Sequence, residues 1–246
     1  DEVAEAELLA AELDVLDDRG RAADQGERRP LDHRRLDADH LGDTADRAGL
    51  LPRVEALGLV PDILVNNAGL STLGPVHAAD VTGELNMIEV DVVAVAELCT
   101  RFLPGMVARG RGAVLNVAST AAFQPLPGQA GYGACKAFVL SYTRSLAGEL
   151  AGTGVTATAL GPGSVDTGFG QAAGFSKEDP ESALPSFMWD STVNVARCGV
   201  DALAKGHPVA IPGAANRVAA MVAHLTPKRL LVPILAKQHP GLKSGR

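Results

Sequence analysis

Strands alternating with helices along most of the chain predict an α/β fold built on a doubly wound parallel sheet. Short apolar runs at 61–65, 112–118, 155–160 and 208–212 are separated by helix-patterned stretches, and parallel strands buried on both faces read as continuous apolar runs. Aromatics make up 4% of a chain that is 46% hydrophobic and holds 27 Gly, which suits helix-on-sheet packing better than an aromatic-rich sandwich. A length of 246 residues fits one domain around one large core.

In chain order, residues 2–13 have helix formers with apolar positions at Val3, Ala6, Leu9, Ala10 and Leu13, the remnant of a helix whose preceding strand is absent. Residues 14–46 are rich in Asp, Arg, Gly and His with no countable period, and no structure is assigned to them. A core region follows over 47–213. It begins with a helix from Arg47 to Gly58 that tolerates Pro52, and then Pro61-Asp-Ile-Leu-Val65 enters the loop Asn66-Asn67-Ala68-Gly69 as a buried strand. A long helix at Glu84–Arg109, a strand at Gly112–Ala118, a helix at Tyr132–Ala151 and a strand at Val155–Leu160 give the βαβα alternation. A helix at 192–205 and a last short strand at 208–212 complete it, and 214–246 is a basic C-terminal extension.

Composition narrows the function classes. The net charge of -7 argues against a nucleic-acid cleft. Cys99, Cys135 and Cys198 are an odd, scattered set that suggests neither a disulfide framework nor a zinc knuckle, so a reducing compartment is expected. The six histidines lack ligand spacing, so no metal is expected and a metal-dependent hydrolase has nothing to work with. No run reaches the ~18 apolar residues of a bilayer span, and the acidic start is unlike a signal peptide; a soluble, cytoplasmic protein is expected. The chain opens on Asp rather than Met, so further residues are expected ahead of it.

Ligands of such sheets sit beyond the C-terminal ends of the strands, where the chemically suggestive residues fall. Tyr132 and Lys136 are four apart, one turn along one helix face. A phenol is a poor acid or base near neutrality, and a neighbouring ammonium favours its ionised form. A bare Y-x-x-x-K is common on solvated helices. Ser119 adds weight to this one: it stands 13 residues earlier, at the end of the strand 112–118, where its hydroxyl can reach a substrate carbonyl or simply cap a turn.

With these residues in order, the stretch from Asp62 to Gly213 resembles the short-chain dehydrogenase/reductase family. Asn66-Asn67-Ala68-Gly69 looks like its post-strand motif, Asn116-Val117-Ala118-Ser119 its serine strand, Tyr132-Gly-Ala-Cys-Lys136 its Y-x-x-x-K, and Pro162-Gly163-Ser-Val165-Asp-Thr167 its P-G-x-V-x-T. The resemblance implies a Rossmann-like sheet and hydride transfer between the nicotinamide of NAD or NADP and a carbonyl or secondary alcohol. It implies Ser119, Tyr132 and Lys136 as catalytic residues. The cofactor would be bordered by Asn66, Ala68, Gly69, Tyr132, Lys136, Pro162, Gly163, Val165 and Thr167. The substrate would be a hydrophobic small molecule beside Phe123 and Gln129, and the protein a homo-oligomer.

Two departures stand out. Asp91 occupies the position where the family usually has Asn; it either holds Lys136 or a water as a carboxylate, or is an ordinary charged helix residue. The Gly-rich turn that cradles the cofactor phosphates, G-x-x-x-G-x-G, is not found: Gly20, Gly26, Gly42, Gly49 and Gly58 lack that spacing. By spacing, the first two strands are missing and the chain begins near the family's second helix, with Asp39 the weak stand-in for an acidic residue near the adenine. The alternative is therefore a degenerate homologue without cofactor, an inactive or interaction protein. Residues 174–189, with Phe175, Phe187, Met188 and Trp189, suggest a lid, and the tail from Pro227 mixes basic and apolar residues as an interfacial helix does. A subunit contact or pocket wall is the more ordinary reading of that tail, and a membrane surface the less favoured one.

Overall fold

The computed structural model describes residues 38–165 and 188–242. Its centre is a parallel four-stranded sheet in the order β1 (Ile63–Asn66), β2 (Gly112–Val117), β3 (Val155–Leu160), β6 (Val209–Ala210). Register runs from Ile63 opposite Ala113 and Gly112 opposite Val155 to Leu160 opposite Ala210. A second parallel pair, β4 (Ser164–Val165) and β5 (Trp189–Asp190), follows β3. Among the described residues no strand precedes β1. The helices are α1 (Ala38–Leu41), α2 (Thr44–Ala56), α3 (Val81–Ile88), α4 (Ala94–Arg109), α5 (Ala130–Glu149), α6 (Thr192–Ala204), α7 (Ala214–Leu225) and α8 (Lys228–Gln238).

The sheet is covered on both faces, as the continuous apolar strands require. One face packs Leu64 and Val114 against Leu98, Phe102 and Met106 of α4 and Val139 and Leu146 of α5, with Leu50 and Val54 of α2 at the edge. The other packs Leu115 and Leu160 against Val195 and Leu203 of α6. A doubly wound α/β sheet follows, with the strand ends at 66, 117 and 160 opening to one side.

Two expectations need correction. Within 14–46, where no structure was assigned, residues 38–41 form a helical turn and α2 starts at Thr44. The Asp43 carboxylate caps α2, accepting the N–H groups of Ala45 at 2.8 Å and Asp46 at 3.3 Å. Arg47, 2% exposed, anchors that end inward by donating to the Leu41 carbonyl and to Glu97. The second is the long helix expected from Glu84, which is interrupted: α3 passes through a π-helical turn at Glu89–Val93 before α4 begins. The extra residue in such a turn re-aims its side chains, and Asp91 lies in it. The tail, read as an extension, forms α7, α8 and a 3-10 turn at Pro240–Leu242.

Candidate active site

β2 carries Ser119 to the open end of the sheet. The Ala118 N–H donates to the Leu160 carbonyl at 2.7 Å, and Ser119 stays extended at φ -167° and ψ 161°. Its Oγ accepts the Ala121 N–H at 3.1 Å, capping the 3-10 turn Thr120–Phe123. That bond uses a lone pair and leaves the hydroxyl proton for another acceptor.

α5 begins at Ala130, so Tyr132 and Lys136 fall in its first two turns, on the side facing β2 and the loop after β1. They are 9% and 4% exposed, and Nζ lies 5.6 Å from the centre of the Tyr132 ring. The ammonium does not point to solvent: it is 2.9 Å from Asp91 Oδ2 and donates a long bond, 3.4 Å, to the Val117 carbonyl. Asp91 Oδ1 accepts the Leu70 N–H at 2.7 Å. One carboxylate therefore ties the π turn, the loop after β1 and α5 together. Burial alone pulls an ammonium's pKa down; the Asp91 carboxylate, and then Tyr132, outweigh it and hold Lys136 above its ordinary value. Burial, and then the Asp91 charge, push the neighbouring Cys135 thiol up to about 11, so it is inert near neutrality.

Two glycines give neighbouring side chains their room. A β-carbon on Gly69 would sit 2.9 Å from Lys136 Nζ and 3.5 Å from Asp91 Oδ2, so a larger residue there would push the ammonium off its carboxylate. A β-carbon on Gly163 would sit 2.6 Å from Oδ1 of Asn216, a buried residue of α7. The Pro162 carbonyl accepts the Thr120 N–H at 2.9 Å, which sets the Pro162-Gly163 turn beside Ser119.

The other expected residues divide. Asn66 turns its amide inward, donating to Asn116 Oδ1 at 2.8 Å, while Asn116 donates to Thr143 Oγ1 at 2.9 Å, so the side chain braces β1 against β2 and α5. Ala68 lies half-buried in the same loop, and Val165 lies in β4 opposite Asp190. Asp39 is in α1, and Thr167 lies outside the described residues, as does most of the expected lid, of which only Met188 and Trp189 are described. Phe123 meets the His224 ring edge-on, centroids 6.4 Å apart. Gln129 is 5% exposed; its amide donates to Ser71 Oγ at 2.8 Å and its carbonyl oxygen lies 3.2 Å from His239 Nε2. Sequence reasoning missed Ser71, Asn216 and His239 as neighbours of the site. No local signal marks them, since Gln129 and His239 are 110 positions apart.

A cavity of about 690 Å³ lies apart from this cluster, between α6, β6 and the start of α7, among Asp190, Asn194, Cys198, His207 and Asn216. Ser119, Tyr132 and Lys136 do not line it. Among the described residues no group of three or more His, Cys, Asp or Glu could hold a metal.

A parallel sheet with Ser119, Tyr132 and Lys136 gathered at its open edge defines a dehydrogenase-type nucleotide-binding fold, and comparison with known proteins gives the family. Residues 43–180 match the profile of the short chain dehydrogenases. The chain is 44% identical over 124 residues to a short chain dehydrogenase of Pseudocercospora fijiensis (strain CIRAD86), covering 49% of this chain and 40% of that protein. It is 43% identical over 105 residues to the NADP-dependent 3-hydroxy acid dehydrogenase YdfG of Salmonella typhi, covering 42% of each. Among solved structures, the short-chain dehydrogenase of Sphingobium yanoikuyae in complex with NADPH is 27% identical with a TM-score of 0.63, over 78% of this chain and 72% of that one. A 7β-hydroxysteroid dehydrogenase, 21% identical, shares the fold with a TM-score of 0.70 over 80% and 74% of the two chains. The chain belongs to the short chain dehydrogenase family, and its matches span about two fifths of the length of these two curated relatives.

Proposed function

We propose that the chain serves an NAD- or NADP-dependent oxidoreductase that interconverts a carbonyl and a secondary alcohol. The observation that carries this is the arrangement of Tyr132 one helical turn from a buried, charge-compensated Lys136, with the Ser119 hydroxyl at the adjacent strand end. Relatives described as NADP-dependent, and a solved relative holding NADPH, support the cofactor. The nicotinamide, when bound, supplies or accepts the hydride.

The chain's own residues fit the nicotinamide-ribose end of such a group. Gly69, over Lys136, and Gly163, against Asn216, are two of the glycines whose missing β-carbon leaves room at this end of the sheet. Lys136, kept protonated by Asp91, offers its remaining N–H to a ribose hydroxyl. In the reductive direction the Ser119 O–H donates to the substrate carbonyl oxygen, and Tyr132 delivers the proton to that oxygen. The Lys136 charge favours the tyrosinate left behind. Asp91 acts through Lys136 and is a positioning residue. Phe123 presents an apolar edge beside Ser119 and suits a hydrophobic carbonyl. With Gln129 held by Ser71 and His239, its contribution is to fix the start of α5.

Titration with NADPH and with NADH, followed by nicotinamide fluorescence, tests the reading. Saturable binding of one cofactor below millimolar concentration is expected. No binding of either would contradict it and favour a homologue without cofactor.

A further inference from the structure

Among the described residues nothing covers the apolar stripes of α7 and α8. On α7, Val218, Met221, Val222 and Leu225 recur at the spacing of one helix side and are 56%, 57%, 56% and 73% exposed. The buried residues of that helix, Asn216 and Ala220, hold its other side to the protein. After Thr226 and Pro227, α8 repeats the pattern with Leu230 and Ile234, one turn apart and 57% and 52% exposed. Lys228 Nζ donates to the Ala223 carbonyl at 2.8 Å and the His224 carbonyl at 3.3 Å, which fixes the turn between the two helices. Scattered exposed apolar residues are ordinary; such stripes on consecutive helices mark a contact surface.

The charge beside these stripes has one sign. Arg217, Lys228, Arg229 and Lys237 are exposed on the same two helices. No Asp or Glu follows Asp201 in the sequence, although the whole chain carries -7. We infer that α7 and α8 dock on an anionic lipid surface, with the apolar stripes in the headgroup–acyl boundary and the basic residues on the headgroups. Two copies meeting through this face would bring eight like charges together, which disfavours a self-contact. The acidic remainder of the chain is repelled by such a surface, so only this end faces it. No described helix is long and apolar enough to cross a membrane. α7 also packs on the turn Thr120–Phe123, so this helix lies between the outward stripe and the residues that follow Ser119.

Co-sedimentation of the full chain with vesicles tests this. Binding to phosphatidylcholine vesicles containing phosphatidylglycerol is expected, with little binding to phosphatidylcholine alone. Removing two charges in Arg229→Gln with Lys237→Gln lowers partitioning on the order of 30-fold. Met221→Glu with Leu225→Glu abolishes binding at an unchanged thermal midpoint. Equal binding to both vesicle types, or none to either, overturns the inference. So does a concentration-dependent dimer without vesicle binding that Leu225→Glu dissolves, which assigns the face to a second copy. Binding is read without turnover, so its failure leaves the dehydrogenase proposal standing.

Discussion

The strand-end cluster and the C-terminal helix pair invert each other. At the cluster, charged groups are buried: Lys136 and Asp91 have side chains 5% and 0% exposed and meet at 2.9 Å. At the helix pair, apolar groups are exposed, up to 73% at Leu225. Each arrangement costs free energy in isolation, and each is compensated in a different way. The buried charges are compensated inside the chain, by one another and by the Leu70 N–H. Among the described residues nothing covers the exposed stripe, and it is there that the lipid contact is proposed. A substitution should therefore act on stability in the first region and on association in the second.

The contrast is broken most directly by Lys136→Met. Removing the ammonium leaves Asp91 buried without its cation, and unfolding should show a loss of about 3–5 kcal/mol at neutral pH. Stability unchanged at pH 7 would mean that the pair is not the internal compensation described.

Asp91→Asn sharpens the same point with a smaller effect. Lys136 has a raised pKa in the folded chain, so its stabilising contribution is fully present below the ordinary lysine value of about 10.4. It is lost as the pH rises through the folded value. With Asn at 91 the largest cause that raises the ammonium's pKa is gone and Tyr132 alone opposes burial less well, so the alkaline loss of stability should move to lower pH. Urea midpoints taken from neutral to strongly alkaline pH measure the displacement, and coincident curves for the two proteins would refute it. Leu225→Ser lies at the other end of the scale. It exchanges a side chain that touches mostly solvent, and the unfolding free energy should change by no more than about 0.5 kcal/mol.

Legibility in the sequence followed the range of the interactions. The strand 155–160 and the helix ending near 204 were readable because apolar period and caps are local signals; Ser191, for example, caps α6 through the Asn194 N–H. Ser119, Tyr132 and Lys136 were readable as a set because strand, turn and helix fix their spacing within 18 positions. For Asp91 the sequence does not decide between holding Lys136 and being an ordinary helix charge, because its aim depends on a π turn that no residue pattern announces. Residues 38–46 looked structureless because α2 is anchored by Arg47 reaching Glu97, fifty positions away, rather than by an apolar stripe of its own. The outward direction of the Val218–Leu225 stripe was hidden too, since periodicity shows that a helix has an apolar side but not whether the protein covers it.

The proposal that Tyr132 is the proton donor and acceptor of a nicotinamide-dependent reaction has one most direct test. Turnover of NADPH or NADH with a panel of hydrophobic ketones is compared between the wild-type chain and Tyr132→Phe, alongside their thermal melts. Loss of the hydroxyl should lower the rate ~10²- to 10⁴-fold while cofactor binding and the melt change little. A Tyr132→Phe protein that reduces the same ketones at the wild-type rate would contradict the account.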